Sequence, residues 1–314
     1  SYVRLWDMHK LLAGVSYVFY SNVFFQNSEN VISDDGLKQA GSINLFVQDT
    51  YHPIPSVSLK PGLRMDIPLH HKSIFLQPRF QVSAKLGESW KINGAWGLYK
   101  QFIAKTSILD NYGNYRYFWV ISDNKSIPVL KAQHLVGGIV LHQAGFILSV
   151  EPFYKTVNGI TRLVTNGEGQ EVYKGKARMH GIDFLVKQYF RKHEAWISYT
   201  LSRAEEYFPY FSTDRYKDSP QDQRHEIKGA LLLDLKPIYF SMNYVYGSGL
   251  AYRSATLPEA EDRYPYHRLD AALIYRLKMD KFRMEAGISI LNIFNRENIK
   301  YSNLFEVPDG QFSS

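Results

Sequence analysis

The sequence has no cysteine, and this absence removes several classes of site at once. A chain without thiols forms no disulfide, no thiolate-ligated zinc site and no cysteine nucleophile. Its 37 basic and 30 acidic residues give a net charge of +7, but the basic residues are spread out, with no block of five. Nucleic-acid-binding proteins usually concentrate basic residues in one stripe. The composition therefore argues against thiol chemistry and against nucleic acid as a partner.

Long apolar runs are missing too. No stretch of 18 consecutive apolar residues occurs in the 314 residues, which excludes a transmembrane helix. It does not exclude a transmembrane β-barrel, because barrel strands alternate apolar with polar residues and their hydropathy averages out. The mean hydropathy of -0.29 fits either a soluble protein or a barrel.

Aromatic residues and alternation are what the sequence does have. Aromatics make up 15 % of the chain. Residues 181–203 read as two strands joined by a polar turn at 191–194, and apolar Ile182, Phe184 and Val186 alternate there with Asp183 and Lys187. A period of two places one face of a strand in an apolar environment and the other in a polar one. Each strand is about ten residues long, which suits a tilted membrane-spanning strand.

The same unit recurs along the chain and predicts about thirteen strands and no helix. Short and long connections alternate with few exceptions, and the long ones include 27–40, 105–128, 161–176 and 204–225. Sorted loop lengths describe an up-and-down meander with two unlike ends, which is the form of an outer-membrane barrel. We expect strands at 9–26, 41–51, 56–67, 73–86, 89–104, 129–142, 146–160, 181–190, 195–203, 226–235, 238–247, 267–278 and 282–294.

The fold class predicted is therefore all-β, an antiparallel up-and-down transmembrane β-barrel. Closing the sheet satisfies every backbone group, as a bilayer demands. Tyr and Trp residues near strand ends are expected at the two membrane interfaces. Those near strand ends include Trp90, Trp196, Tyr239 and Tyr275.

A series of short motifs along the chain resembles the C-terminal part of the barrel of TonB-dependent outer-membrane receptors. The motifs cover nearly the whole chain and occur in the family's order. They are 48–51 (QDTY), 59–66 (LKPGLRMD), 77–80 (QPRF), 95–102 (AWGLYKQF), 149–155 (SVEPFYK), 198–203 (SYTLSR), 222–225 (DQRH), 267–270 (HRLD) and 292–295 (NIFN).

The resemblance implies an active transporter in the bacterial outer membrane. Members of the family enclose an N-terminal plug in a barrel of about 22 strands. They take energy through TonB, which grips a segment before the plug, and they bind a scarce small ligand outside. The expected partners are thus membrane lipid, TonB, the plug and an unknown ligand, with no cofactor.

The sequence departs from the family pattern at both ends. It starts at Ser1 without a plug or a TonB-binding segment, and it stops at Ser314 after a polar stretch rather than on a terminal aromatic strand. We expect residues 1–314 to be a single-domain, C-terminal portion of a longer receptor.

The candidate ligand-binding residues are aromatics in two long connections. Exposed aromatics on loops offer contact area at low entropic cost. The alternative is that they pack the loops onto each other. The candidates are Tyr112, Tyr115, Tyr117, Phe118 and Trp119 in the first connection, and Tyr207, Phe208, Tyr210 and Phe211 in the second.

Two polar motifs are interpreted as structural rather than chemical. Asp222, Arg224 and His225 resemble an acid–base or metal cluster, but Asp and His three apart on a strand point to opposite faces. The adjacent pair His70 and His71 diverges for the same reason. We therefore predict no metal site and no catalytic residue.

The second structural motif contains Asn292 and Asn295. Beside the transporter, other functions stay open: a passive outer-membrane pore, a surface adhesin, and an outer-membrane lipase or protease, which would need a Ser/His/acid set that the spacing does not supply.

Overall fold

The computed structural model describes residues 2–6, 8–21, 39–70, 73–109, 115–166, 169–211, 213–253, 261–263, 265–278 and 282–298. Among these residues no helix has the length and apolar character needed to cross a membrane. The described secondary structure consists of strands. They are β1 (Tyr2–Trp6), β2 (His9–Ser21), β3 (Gln39–Ile54), β4 (Val57–Pro68), β5 (Phe75–Leu86), β6 (Trp90–Gln101), β7 (Ile103–Leu109), β8 (Tyr115–Ile121), β9 (Leu130–Gln143), β10 (Phe146–Asn166), β11 (Gly169–Phe190), β12 (His193–Tyr207), β13 (Lys217–Asp218), β14 (His225–Leu235), β15 (Ile238–Gly247), β16 (Ala251–Arg253), β17 (Glu261–Arg263), β18 (Tyr266–Lys278) and β19 (Arg283–Ile290).

One sheet of seventeen strands carries the architecture, and β16 with β17 forms a separate two-stranded sheet. The wall of the sheet is a continuous antiparallel meander in the order β1, β2, β3, β4, β5, β6, β9, β10, β11, β12, β14, β15, β18, β19. Within the described residues β19 does not pair with β1, so the sheet is open. The meander confirms the predicted up-and-down topology, with each of the thirteen expected strands present and β1 added at the front.

The two faces of the wall differ in polarity, as the alternation predicts. Cross-strand rows keep residues of one parity together: Val15 lies opposite Leu45, Leu45 opposite Met65, and Met65 opposite Leu76. Many large apolar side chains on this face are exposed, including Val15 at 71 %. We call it the apolar face. The polar face carries Ser42, Asn44, Asp66, Gln77, Asn93, Glu151, Asp183 and Thr200.

The two edges of the wall differ in connection length. Turns of two or three residues join β3 to β4, β5 to β6, β9 to β10, β11 to β12 and β14 to β15, and we call this edge the short-turn edge. At these turns Ala144 and Arg191 adopt positive φ, which lets the chain reverse tightly. The opposite edge carries the connections from β2 to β3, β4 to β5, β6 to β9, β10 to β11, β12 to β14 and β15 to β18, and is called the long-connection edge.

The predicted loops at 105–128, 161–176 and 204–225 are wrong in part, because they contain strands; the last holds the end of β12 and all of β13. Residues 161–176 belong largely to β10 and β11, which are 21 and 22 residues long and pair from Phe146 to Asn166. A Gly-rich segment can pair with a neighbouring strand even when apolar and polar residues do not alternate, because the pairing uses backbone hydrogen bonds that do not depend on the side chains. Within 105–128, β7 and β8 form a hairpin, and β7 pairs in parallel with β10.

Other predicted boundaries shift by a few residues. His193 and Glu194, expected in a turn, begin β12 and pair with Phe190 and Tyr189. The strand predicted at 282–294 ends at Ile290.

Of the four aromatics expected at the membrane interfaces, two lie on the apolar face, as the expectation requires, and two do not. Trp90 and Tyr275 lie on the apolar face and are 45 % and 42 % exposed. Trp196, opposite Lys187, and Tyr239, under the Arg276 guanidinium at 4.0 Å, lie on the polar face instead. A position near a strand end sets how far along the wall a side chain lies. It does not set the face of the sheet, which alternates from one residue to the next.

Candidate functional site

A buried polar cluster lies toward the long-connection edge and is organised by Arg162 of β10. This guanidinium is buried, and its Nη2 donates a 2.6 Å hydrogen bond to Oε1 of Glu206 on β12. Its Nη1 donates a 2.6 Å hydrogen bond to the Tyr210 hydroxyl, and its Nε lies 3.4 Å from the Ser107 hydroxyl. The plane also stacks 4.4 Å above the ring of Phe208. Arg162 thus joins the wall, the β7–β8 hairpin and the connection after β12.

A β-bulge brings Arg162 into this position. The β10–β11 register shifts between Asn158 and Ile160, and Gly159 between them has φ of +89°. A side chain at Gly159 would meet the carbonyl oxygen of Val129 at 3.2 Å. Pairing with β9 ends at Asn158, and pairing with β7 begins at Arg162. The bulge therefore marks where β10 exchanges one neighbour for another.

The aromatics of the second connection pack around this cluster. Phe208 is buried at 2 % exposure, and its ring contacts Tyr210 and Phe211. Tyr207 contacts Phe211 and Tyr216, and Lys217 Nζ stands 4.8 Å from the Phe211 ring. The Phe208 ring is buried against Arg162, whereas the side chains of Tyr207, Tyr210 and Phe211 are partly exposed to solvent.

Of the aromatic side chains in the first connection, the structure describes that of Trp119. Tyr115, Tyr117 and Phe118 belong to β8, and their side chains lie outside the described residues, as does Tyr112 altogether. Trp119 is 52 % exposed.

A second ionic group lies on the other side of the same strands. Arg178 of β11 donates a 2.7 Å hydrogen bond from Nε to Oε2 of Glu205, and Arg203 Nε stands 3.0 Å from Oδ1 of Asp218. The hydrogen bond from Arg178 lowers the pKa of the Glu205 carboxyl, an effect that outweighs its burial. Arg224 reaches both Asp218 and Asp222 at 3.4 Å. These pairs fasten β13 and the end of the 208–224 connection to the wall.

The Asp222, Arg224 and His225 motif lies at this group. Asp222 is fully buried, and its Oδ1 accepts a 2.7 Å hydrogen bond from the backbone N–H of Ala204. His225 begins β14, and its Nδ1 lies 2.9 Å from the Tyr199 hydroxyl. Among the described residues no group of three or more His, Asp or Glu side chains could hold a metal ion. His70 has its Nε2 3.1 Å from the Ser122 carbonyl oxygen, and His71 lies outside the described residues.

Asn292 and Asn295 form a turn after β19. Both have positive φ, at 51° and 47°. Asparagine tolerates this region better than most residues, which explains its choice at both positions. The Asn292 N–H donates to Oδ1 of Asp270, and the Asn295 N–H donates to the Asn292 carbonyl.

Most motif residues singled out in the sequence turn out to partner one another within the wall. Gln77 donates to Asp66, which also accepts from Arg64, and the Gln77 amide oxygen accepts from the Lys100 N–H. Thr200 donates a 2.5 Å hydrogen bond to Asp183 on the next strand. Such fixed polar pairs hold the register of neighbouring strands.

A cleft opens beside the Arg162 cluster on the polar face. It has a volume of about 290 Å³ and is lined by residues that include Lys105, Lys155, Arg162, Glu206 and Phe208. Sequence reasoning missed Arg162 and Glu206 because it assigned both to loops. The available signal was charge: an Arg and two adjacent Glu residues stand in segments that are otherwise polar or aromatic.

A family model described as TonB dependent receptor-like, beta-barrel matches residues 3–294. The chain belongs to this family of TonB-dependent receptors. The barrel, its outer-membrane location and the resemblance predicted from the motifs are thereby confirmed. No curated protein sequence matches the chain.

Solved structures agree on the fold at low sequence identity. The FrpB iron transporter from Neisseria meningitidis superposes with a TM-score of 0.67 at 12 % identity, over 96 % of this chain and 50 % of that one. The siderophore receptor PirA from Pseudomonas aeruginosa gives 0.62 at 13 %, over 92 % and 51 %. The ferric enterobactin receptor PfeA from Pseudomonas aeruginosa, in complex with enterobactin, gives 0.65 at 13 %, over 94 % and 47 %. The chain thus spans about half the length of these proteins.

Membership of the TonB-dependent receptor family assigns the two faces and the two edges of the wall to positions in the outer membrane. An outer-membrane barrel turns its apolar face to lipid and its polar face inward, with short turns in the periplasm and longer loops outside. By this rule the Arg162 cluster and its cleft lie at the extracellular end, on the inner side of the wall.

Proposed function

We propose that this chain forms part of the wall and the extracellular rim of an active transporter that imports a scarce ligand, with energy delivered through TonB. The ligand class that fits best is an iron–siderophore complex; cobalamin or an oligosaccharide are the alternatives within the same mechanism. The observation that carries the proposal is the charged, aromatic-lined cleft on the polar face at the long-connection edge.

The chemistry of the cleft suits an anionic chelate. Lys105, Lys155 and Arg162 contribute cationic groups, and Phe208 contributes aromatic surface. Arg178, Glu205 and Glu206 also line the cleft, and its excess of basic over acidic residues favours ligands of negative charge. Glu206 neutralises Arg162, so Lys155 is the basic residue of the lining that we expect to attract a ligand. The similar structures named for iron transport and for ferric enterobactin support the same ligand class.

Three of the loop aromatics complete the proposed site. Tyr207, Tyr210 and Phe211 surround the Arg162 cluster and are partly exposed, so that an arriving ligand can contact them. Trp119 offers a further exposed ring on the β7–β8 hairpin. The polar face below them would meet the plug, which is the other partner that the family mechanism requires.

The test is uptake by cells that carry the full-length protein as their sole receptor. We would offer ⁵⁵Fe-loaded enterobactin and pyoverdine, labelled cobalamin and a labelled maltooligosaccharide, with functional TonB and with TonB deleted. The proposal expects one ligand to accumulate only with TonB while its surface binding persists without it. Accumulation at equal rates in both strains would establish a passive pore instead. If the protein instead bound a protein on the surface of another cell and no ligand was taken up, the chain would belong to an adhesin.

A matched pair of variants connects transport to the cleft. Lys155→Gln removes a charge from the cleft, and Lys91→Gln removes one from the polar face near the short-turn edge. We expect about a tenfold weaker ligand affinity for the first, typical of one charged contact, and no change for the second. Equal effects of the two variants would contradict the assignment of the cleft.

A further inference from the structure

A row of basic side chains lies on the apolar face, where cations are unexpected. Lys100 of β6 and Lys131 of β9 stand directly opposite each other. The parity of β6 places Lys100 on the same face as Trp90, Ile92 and Trp96, and the parity of β9 places Lys131 with Leu135 and Ile139. Trp90, Ile92, Leu135 and Ile139 are each more than 40 % exposed. The two lysines therefore extend from the face that meets lipid.

Their height on the wall coincides with the end of the apolar band. Lys100 lies ten residues beyond Trp90, where β6 starts at the short-turn edge, and Lys131 lies twelve residues before the end of β9. A membrane-spanning strand takes about 9–11 residues at a tilt of about 45°. Both ammonium groups are thus expected at the level of the outer-leaflet headgroups, above the row formed by Trp96, Leu135 and Tyr154.

The basic side chains at this height lie on one part of the wall. On β11 and β12 the residues ten positions from the short-turn edge are His180 and Arg203, which pair with each other across the two strands. On β2 and β5 the residues at the same distance are Phe19 and Leu76, exposed at 56 % and 53 %. The strands compared therefore differ at headgroup level: basic side chains stand on β6, β9, β11 and β12, and apolar side chains on β2 and β5.

Lys100 and Lys131 differ from their basic neighbours in lacking a counter-charge. Arg203 is neutralised by Asp218 and Glu205, and Arg178 by Glu205. In the part of the chain that the structure describes, neither Lys100 nor Lys131 has an ion pair with an acidic side chain. Like charges directly opposite on neighbouring strands are destabilising. An anion held between the two ammonium groups would remove that repulsion.

We propose that Lys100 and Lys131 bind a phosphate group of an outer-leaflet lipid, a phosphorylated glycolipid in an outer membrane. The position supports a lipid in particular: the pair is on the lipid-facing side, its two strands continue downward into exposed apolar side chains for acyl chains, and a charged phosphate forms strong hydrogen bonds with ammonium donors. Electrostatic attraction of basic residues to anionic lipid headgroups is substantial at membrane surfaces. Transport and lipid binding use opposite faces of the wall, so this site does not depend on the proposed function.

The test is titration of the purified full-length protein in detergent with bisphosphorylated lipid A, followed by native mass spectrometry. We expect lipid A to bind about tenfold more tightly than its dephosphorylated form, and the Lys100→Gln/Lys131→Gln double variant to lose that preference. Lys100→Arg/Lys131→Arg should keep it, which separates loss of charge from loss of folding. The matched control is Lys85→Gln/Lys91→Gln, another directly opposed lysine pair that lies on the polar face.

Three outcomes would overturn the site. Equal affinity for lipid A with and without phosphates would mean that only the apolar surface holds lipid. Saturable binding of inorganic phosphate at the same affinity would mean a free-anion site rather than a lipid site. An equal loss of lipid A in the Lys85/Lys91 control would mean a general charge effect.

Discussion

Arg162 on β10 donates a 2.6 Å hydrogen bond to Glu206 on β12, and the two side chains are only 2 % and 11 % exposed. They are 44 residues apart in sequence. Burying two charges is costly unless they are paired and fully hydrogen-bonded, and here Tyr210, Ser107 and the Phe208 ring complete the surroundings of the guanidinium. Through its contacts with Tyr210 and Phe208, Arg162 fixes the 208–224 connection against the wall, and with it the rim at which we place the ligand.

Arg162→Met should loosen the rim without unfolding the barrel. Removing one partner of a buried ion pair costs about 3–5 kcal/mol because the other charge is left uncompensated. Since Arg162 also holds Tyr210 and Phe208 of the connection, the loss should appear as local opening, and limited proteolysis within 208–224 should accelerate about 100-fold. The control is Lys228→Met, which removes an exposed lysine from its pair with half-buried Glu226; it should change little. Equal proteolysis of the two variants would show that Arg162 does not anchor the connection.

Asp222 should tolerate asparagine and not alanine. Its fully buried Oδ1 accepts the Ala204 N–H, and alanine would leave that donor unsatisfied at a cost of about 1–3 kcal/mol. Asp222→Asn keeps an acceptor oxygen and loses only the contact between charges with Arg224. Denaturant unfolding in detergent should rank the wild type first, Asp222→Asn second and Asp222→Ala last. If alanine matched asparagine, the Ala204 bond would have no importance.

The rim should weaken in acid through Glu205. The hydrogen bond from Arg178 lowers the pKa of this carboxyl below its ordinary value of 4.5. A lowered folded-state pKa means that the contribution to stability is complete above about pH 4.5 and is lost as the pH falls through the lowered pKa. Proteolysis within 208–224, followed with an acid-active protease, should therefore be slow at pH 6 and faster near pH 3. Glu205→Gln should be nicked at a rate nearly independent of pH, and a wild-type rate that stayed constant down to pH 3 would refute this linkage.

The turn after β19 should accept glycine and reject β-branched residues. Asn295 has φ of 47°, a conformation that costs a residue with a Cβ roughly 1–2 kcal/mol. Asn295→Gly should thus be close to neutral, whereas Asn295→Val should be destabilised by about that amount in the same unfolding assay. A valine variant as stable as the glycine variant would indicate that the turn can form with another backbone conformation.

The sequence predicts the wall better than the rim, for a physical reason. Alternation arises wherever one face meets lipid, so it marks the ten or so residues of each strand that cross the membrane. Beyond the apolar band nothing imposes alternation, and β10 and β11 continue to Asn166 and Gly169 on backbone pairing alone. Residues 161–176 therefore looked like a loop.

The candidate site shows the same limit. The aromatic cluster at Tyr207–Phe211 was found from the sequence, and the structure packs it beside Arg162 and the cleft. The role of Arg162 was not visible, since its partners Glu206, Tyr210 and Ser107 come from three other segments of the chain. Only the fold brings them together.

The absence of cysteine allows a direct test of which edge of the wall faces the cell exterior. We would introduce single cysteines at Ser126, exposed in the connection between β8 and β9, and at Lys192, in the turn between β11 and β12, and label intact cells with a maleimide polymer too large to cross the outer membrane. We predict that Ser126→Cys is labelled in intact cells and that Lys192→Cys is labelled only after the outer membrane is permeabilised. Labelling of Lys192→Cys but not Ser126→Cys in intact cells would place the Arg162 cluster on the periplasmic side and contradict a ligand site at that rim.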